Sequence, residues 1–336
     1  MTISAIVPVW NGKELLARLL RSLGTQTLQP IELIAVDNGS TDGAPEVARQ
    51  AGARVIPMGR NAGFAAAANR GIGEASGDAL AILNSDVELG PQYLALLAAD
   101  LENSGAWFAT GKLLRDAPPA ALEPLIDGTF DVVCRGGTAA RLGFGQPAGA
   151  FADTGCSIWS APWTAALFRA GLFAKAGLLD ERFESYLEDV DFGLRCARLG
   201  LGGVYVPQAV AHHRGSASLG RWHAKTVRLT ARNQVFLLAR HYSPGALRRH
   251  AWRIAVAHLL WGGLALRHGA PLAWLRGKLQ GIRQWRALRG EETFDRGELD
   301  RLLTGNEALI RQSMREAGSA DLYWKLYFLL SGSGAK

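Results

Sequence analysis

Strand-like and helix-like segments alternate through the first 90 residues of this chain, and that alternation restricts the fold more than any other feature. Ile3–Val9 is a short, β-branched apolar run closed by Trp10-Asn11-Gly12. Glu14–Leu23 has leucines at helical spacing, Ile31–Val36 predicts a second strand, Pro45–Ala51 a helix and Ala53–Pro57 a third strand. An alanine-rich helix running to about Ala75 leads into a fourth strand, Ala79–Leu83. Strands separated by helices make a parallel sheet with crossover connections. Right-handed crossovers bring every parallel strand's carboxyl end to one edge, which is where open α/β sheets bind ligands.

Further on, Pro91–Asn103 predicts a helix and Trp107–Leu114 a strand. The stretch from Arg115 to Ala152 is rich in Gly and Pro and reads as loops with a small antiparallel piece. Trp163–Phe168 predicts a buried strand, Glu188–Leu199 a helix and Gly203–Val206 a strand before the AHHRGSAS loop. After Ser218 the pattern turns helical, over Arg221–His241, Pro244–Gly269, Pro271–Leu288 and a tail from Glu298. The organisation expected is an α/β domain over 1–220, with halves meeting near 115, and a basic, Trp-rich helical extension over 221–336.

Charge is unevenly placed. Between Phe192 and Gly290 there are 17 Lys and Arg and no Asp or Glu, leaving a net −10 for the rest of a chain whose total is +7. Such asymmetry implies an anionic partner: a membrane face, a phosphorylated substrate or nucleic acid. The longest weakly polar stretch, Ile254–Leu266, is 13 residues with His258 inside it, against about 20 for a membrane span. Arginine and tryptophan interleaved through residues 221–290 suit either an interfacial surface or helices packed on the domain. The three cysteines are far apart and form no CxxC, so neither a disulfide framework nor a zinc knuckle is expected. The opening MTISAIVPVW reads as a strand and not a signal peptide. The expectation is therefore a cytoplasmic protein, peripheral at the inner face of the cell membrane.

Four groups of residues could carry chemistry. Asp37, with Asn38, follows the second strand and could accept from a base or a ribose hydroxyl, or merely close an Asx-turn. Asn84-Ser85-Asp86 follows the fourth strand; Asp86 could hold a divalent ion on a diphosphate, since Mg²⁺ needs only one or two carboxylates beside substrate phosphates. Glu188, Asp189 and Asp191 open a helix, where acids favour the dipole and one could serve as a general base. His212-His213-Arg214 precede a Gly-Ser-Ala-Ser run and could meet a metal or phosphate oxygens. No GxGxxG follows the first strand and no GxxxxGK[ST] is present, which disfavours a Rossmann oxidoreductase and a P-loop kinase.

Together, Val7-Pro8-Val9-Trp10-Asn11-Gly12, Val36-Asp37-Asn38-Gly39-Ser40-Thr41-Asp42-Gly43, Arg60-Asn61-Ala62-Gly63-Phe64, Leu83-Asn84-Ser85-Asp86 and Tyr186-Leu187-Glu188-Asp189-Val190-Asp191 resemble family 2 glycosyltransferases, with the bacterial rhamnosyltransferase-like branch nearest. The resemblance covers residue 3 to about 240. It implies a GT-A fold, a Rossmann-like, mainly parallel sheet flanked by helices. It also implies inverting transfer from a nucleotide diphosphate sugar helped by Mg²⁺ or Mn²⁺. By the same resemblance Pro8, Asn11, Asp37, Arg60, Asn61 and Gly63 would serve the nucleotide side. Asn84 and Asp86 would stand at the diphosphate, with Asp86 and His213 as metal ligands. Asp189 would be the catalytic base, and Glu188, Asp191, Trp159 and Trp163 would belong to the acceptor side. Arg232-Asn233 also resembles a pair of this branch. Thr164 takes the customary glycine place before Arg169, and the Leu178-Leu179-Asp180-Glu181-Arg182-Phe183 stretch keeps Asp-Glu-x-Phe but has Leu where the family usually has Phe. The implied donor is dTDP-rhamnose, ahead of UDP-galactofuranose, UDP-glucose and GDP-mannose. The implied acceptor is a glycan or lipid-linked oligosaccharide of surface polysaccharide synthesis. A nucleic-acid-binding protein would explain the basic stretch but leaves the acidic groups unused and lacks a recognition signature, so no nucleic acid is expected.

Overall fold

The computed structural model describes residues 1–116, 124–149, 154–214, 220, 222–289, 294, 297–316 and 321–332. Its strands are β1 (Ile3–Val9), β2 (Glu32–Asp37), β3 (Arg54–Pro57), β4 (Ala79–Leu83), β5 (Val87–Leu89), β6 (Phe108–Arg115), β7 (Ile126–Gly128), β8 (Asp131–Val133), β9 (Ala139–Arg141), β10 (Cys156–Ile158), β11 (Ala165–Arg169) and β12 (Gly203–His213). Its helices are α1 (Lys13–Gly24), α2 (Ala44–Gln50), α3 (Phe64–Ile72), α4 (Tyr93–Ser104), α5 (Gly171–Ala176), α6 (Glu188–Arg198), α7 (Ala224–His241), α8 (Pro244–Arg267), α9 (Pro271–Arg283), α10 (Trp285–Leu288), α11 (Glu298–Glu316) and α12 (Leu322–Leu330). The chain divides into two compact units, Met1–Phe130 with Gly143–Ser218, and Asp131–Leu142 with Leu219–Lys336.

The first unit is built on one mixed sheet of order β10-β12-β6-β11-β4-β1-β2-β3, with β5 on β12 and β7 on β6. β1 pairs in parallel with β2 on one side and β4 on the other. It is buried on both faces, as a central parallel strand must be. β11 runs antiparallel to both β4 and β6, and β12 runs parallel to β6. Hence β1, β2, β3, β4, β6 and β12 all point the same way. Their ends at Val9, Asp37, Pro57, Leu83, Arg115 and His213 share one edge. Chain order reverses direction across the sheet between β1 and β4, the place where such sheets open a ligand crevice.

β12 is much longer than Gly203–Val206. Pro207 cannot donate to a ladder, so the sequence pattern stops there; the strand instead crosses the proline with a bulge between Val206 and Val210 and continues to His213. Gly111 makes the bend possible, since a Cβ there would lie 2.1 Å from Ala209 O. His212 and His213 are thus strand residues and not loop residues; Gly215–Ser218 of the expected loop lie outside the described residues.

Beside the sheet, Trp163, Phe168, Phe173 and Phe192 pack as an aromatic cluster under α6. Asp191 is fully buried and ion-paired with Arg195 one turn on, Oδ2 to Nε 3.1 Å. Arg195 also donates to Ala176 O and to Leu178 O.

The second unit is helical, with the β8–β9 hairpin as its only strands among the described residues. α9 lies on α7 through Gly277 and Gly281, where a Cβ would meet Arg228 O at 2.2 Å and Val235 Cβ at 2.6 Å. The expected helix Pro271–Leu288 breaks at Gln284 into α9 and α10. Glu307 on α11, 3% exposed, gathers the unit's distant pieces. It accepts from Arg135 N at 3.0 Å, Arg135 Nη2 at 2.6 Å and Tyr327 Oη at 2.7 Å. Removing one partner of a buried pair leaves an uncompensated charge and costs about 3–5 kcal/mol. Glu307→Ala should therefore lower the unfolding free energy, measured by denaturant titration, by that scale. A loss below about 1 kcal/mol, the surface-pair value, would show that Glu307 does not organise this unit.

Candidate active site

His213 ends β12, and strand alternation buries it while exposing its neighbour His212. Its Nδ1 lies 2.8 Å from Asp127 Oδ2 and its Nε2 lies 3.3 Å from Asp86 Oδ1. Asp86 comes from the turn joining β4 to β5, and Asp127 from β7. The ladder sets these positions: His213 stands opposite Val87 of β5 and Arg115 of β6, and Arg214 N donates to Asp86 O at 3.2 Å. Arg18 of α1 braces the turn from behind. It donates through Nη2 to Glu88 Oε2 at 2.8 Å and through Nη1 to Asp116 Oδ2 at 2.8 Å, and the Arg18 hydrogen bond holds Asp116 below the usual carboxylate range.

Burial pushes the His213 imidazole down, but the hydrogen bonds of Asp127 and then Asp86 outweigh it and raise its pKa to about 9. Among the described residues no group of three or more His, Cys, Asp or Glu side chains could hold a metal by itself. What the site offers is a two-ligand set, Asp86 oxygen and His213 Nε2. Asp127 is placed to accept the Nδ1 proton and fix the ring, as carboxylates behind ligating histidines do. An oxygen and an imidazole fit Mg²⁺ or Mn²⁺ when waters and substrate phosphates complete the shell.

The residues expected on the nucleotide side lie along the rest of the edge. Asn11 takes a left-handed φ of 58° after β1. Its N donates to Ser40 Oγ and its Oδ1 accepts from Thr41 N, both at 2.9 Å. Asp37 Oδ1 accepts from Ser40 N at 2.9 Å, an Asx-type turn. Buried Asn38 then ties this loop to the next, donating to Gly63 O at 3.0 Å and accepting from Ala62 N at 2.8 Å. Asn61 Oδ1 accepts from Gly63 N at 3.0 Å, so Asn61 and Gly63 shape the loop. Arg60 is exposed beside it and Pro8 half-buried in β1. Gly63 has φ +94° and its Cβ position is 2.6 Å from Glu184 O; only glycine allows that approach.

That approach joins the loop after β3 to the segment before α6. Ala65 N donates to Glu184 O at 3.0 Å and Phe64 N to Ser185 Oγ at 3.2 Å. Glu184, Tyr186 and Leu187 all have positive φ, at 60°, 72° and 67°. With Asn11 they are the non-glycine residues in that region among the described residues. Bulky residues held there are strained, and such strain collects at functional sites. The strained turn delivers the start of α6 to the edge. Asp189 is partly exposed there, its Oδ1 accepting from Val190 N at 2.8 Å, and Glu188 is buried beside it.

Two expected acceptor-side residues are placed elsewhere. Asp191 is sealed into its pair with Arg195 on the buried face of α6. Trp163 is 2% exposed inside the aromatic cluster. Trp159 is 42% exposed and remains available. Asn84 sits at the edge with its N–H on Thr164 O at 2.8 Å. Arg232 and Asn233 are buried on α7 and bonded to each other, Nε to Oδ1 2.9 Å. Asp127 is the site residue that sequence reasoning missed; its signal would have been a carboxylate within a β-capable Ile-Asp-Gly triplet.

One edge of the sheet thus carries a carboxylate after β4, a histidine ending β12 and an acidic helix start. Residues 4–127 match the family described as Glycosyl transferase family 2. The chain is 32% identical over 289 residues to N-acetylglucosaminyl-diphospho-decaprenol L-rhamnosyltransferase of Mycobacterium tuberculosis, covering 75% of this chain and 87% of that protein. The chain belongs to glycosyltransferase family 2, and within it is similar to that rhamnosyltransferase. In fold it is similar to GalNAc-T7 with UDP, GalNAc and Mn²⁺, at a TM-score of 0.64 and 14% identity over 92% of this chain and 57% of that one. The mannosyltransferase PcManGT from Pyrobaculum calidifontis in complex with GDP-Man and Mn²⁺ is similar at a TM-score of 0.52 and 17% identity, over 98% of this chain and 86% of that one.

A raised folded pKa means that the His213 proton stabilises the fold. In protein kept free of divalent ions, that contribution is fully present below about pH 6.5, the unfolded value, and is lost as pH rises through about 9. Thermal unfolding in chelator should therefore show a falling melting temperature between those limits, and Asp127→Asn should flatten the fall. An unchanged slope in Asp127→Asn would remove Asp127 from control of this imidazole.

Proposed function

We propose that this enzyme transfers L-rhamnose from dTDP-L-rhamnose, with inversion, to a hydroxyl of an N-acetylglucosaminyl-diphospho-polyprenol. The observation that carries the reading is the similarity to the mycobacterial rhamnosyltransferase through 87% of that protein's length. The arrangement of the sheet edge supports it.

Asp37, Asn11, Pro8 and Arg60 bound the nucleotide side, and Asn84 faces the diphosphate. Asp86 and His213 would hold a Mg²⁺ or Mn²⁺ ion; when bound, the ion neutralises charge on the departing diphosphate. Asp127 keeps the His213 ring turned so that Nε2 faces Asp86. Asp189 accepts the acceptor hydroxyl proton as that oxygen bonds to the anomeric carbon and the bond to the diphosphate breaks. A single displacement requires one base and no nucleophilic side chain, which suits a site with one partly exposed carboxylate at a helix start. Glu188 and Trp159 border the acceptor. A lipid-linked acceptor places the reaction at the cytoplasmic face of the membrane.

Incubation with dTDP-L-rhamnose and a short-chain N-acetylglucosaminyl-diphospho-prenol tests the reading. A disaccharide product, absent with UDP-glucose, UDP-galactofuranose or GDP-mannose, is expected; transfer from one of those donors instead would overturn the sugar assignment. Asp189→Asn should cut turnover by about 10²–10⁴-fold, the usual range for a lost general base, with donor affinity kept. Normal turnover at saturating donor would take that role away. Asp86→Ala should abolish Mn²⁺-dependent donor binding, and Asp127→Ala should weaken Mn²⁺ by about 10–100-fold, the scale of a lost supporting carboxylate. Unchanged Mn²⁺ affinity in both would move the ion elsewhere.

A further inference from the structure

α9 carries its hydrophobic residues on the wrong side for a helix of a water-soluble unit. Its buried face is Gly277, Lys278 and Gly281, set against α7. Leu272, Leu275, Leu279 and Ile282 recur at spacings of three and four, the period of one helical stripe. All four are 45–67% exposed. α8 packs against this helix closely enough that a Cβ on Gly262 would lie 2.9 Å from the Trp274 ring. It repeats the pattern with Leu259 and Leu266, both 66% exposed and seven residues apart. Isolated exposed leucines are ordinary, but two exposed rows on adjoining helices mark an interaction surface.

The charges beside the rows say what kind. Arg267, Arg276 and Arg283 each directly follow one of these exposed residues, Arg286 lies one turn beyond Ile282, and all four are exposed. No acidic residue occurs anywhere on α7, α8, α9 or α10. A second copy of the chain using the same face would set arginine rows against each other with no carboxylate between them. A bilayer with anionic headgroups satisfies both halves of the surface. Leucines enter the boundary of the acyl region while arginine stems lie along it and reach the phosphates, each basic residue adding attraction near an anionic leaflet. None of these helices is long and apolar enough, among the described residues, to cross a membrane.

We propose that the exposed leucine rows of α8 and α9, edged by Arg267, Arg276, Arg283 and Arg286, are a docking face for an anionic lipid bilayer. The proposal is independent of the sugar and of the metal. Co-sedimentation of the full chain with vesicles, without donor, acceptor or divalent ion, tests it separately from glycosyl transfer. Binding to mixed phosphatidylcholine–phosphatidylglycerol vesicles, weakened by salt and absent with phosphatidylcholine alone, is expected. Leu275→Gln with Leu279→Gln, and separately Arg276→Gln with Arg283→Gln, should each weaken it at least about tenfold. These surface changes should leave thermal unfolding and transfer to a water-soluble acceptor unaltered. Equal binding to neutral and anionic vesicles, no binding to either, or full binding by both double variants would overturn the proposal. So would a dimer that dissociates in the leucine variant while vesicle binding persists, or preference for duplex DNA over vesicles.

Discussion

A buried imidazole with a carboxylate at each nitrogen can be held only by a scaffold that fixes three chain segments at once. Asp127 on β7, Asp86 after β4 and His213 at the end of β12 are far apart in sequence, and it is the mixed sheet that brings them together. The bulge past Pro207 lets β12 reach far enough along β6 to end at His213. β5 turns back against β12 and carries the Asp86 turn with it, and Arg18 fastens that turn to the ends of β5 and β6. Neither the charge on His213 nor its orientation has meaning outside this frame. In water the same imidazole would titrate at its ordinary value of about 6.5.

The turn before α6 is held by strain and not by charge. Glu184, Tyr186 and Leu187 occupy a backbone region that side chains disfavour. They are kept there by the close approach of Gly63 and by hydrogen bonds from Phe64 and Ala65. A consequence is that the loop after β3 serves two purposes. It is tied to the loop after β2 through Asn38, and it fixes the turn from which α6 presents Asp189. Burial then sorts the three acids of that helix start, leaving Asp189 partly exposed and committing Asp191 to Arg195.

Much of this architecture could be read from residues alone, because periodicity reports burial. β1, β2 and β4 are apolar runs of strand length closed by turn residues, and α1 and α6 carry clear helical spacing, so the parallel edge and its acids followed. What stayed hidden depended on long-range pairing. Pro207 concealed the second half of β12, and a three-residue strand in a Gly- and Pro-rich stretch concealed Asp127. Trp163 looked like an acceptor-pocket residue until its rings of contact, Phe168, Phe173 and Phe192, were in place. The strained turn gave no sign either, since no glycine marks it. The charge asymmetry of the helical region was plain in the sequence, whereas the turning of α9's leucines away from its own unit is a property of packing.

The pairing of Asp86 with His213 is the proposed seat of the divalent ion. Crystals grown with a nucleotide diphosphate and Mn²⁺, measured for anomalous scattering at the manganese edge, test that directly. The structure predicts one peak within bonding distance of Asp86 Oδ1 and His213 Nε2, with Asp127 still on Nδ1. A peak bound by other residues, or a nucleotide seated at this edge with His213 still hydrogen-bonded to Asp86 and no peak between them, would contradict it.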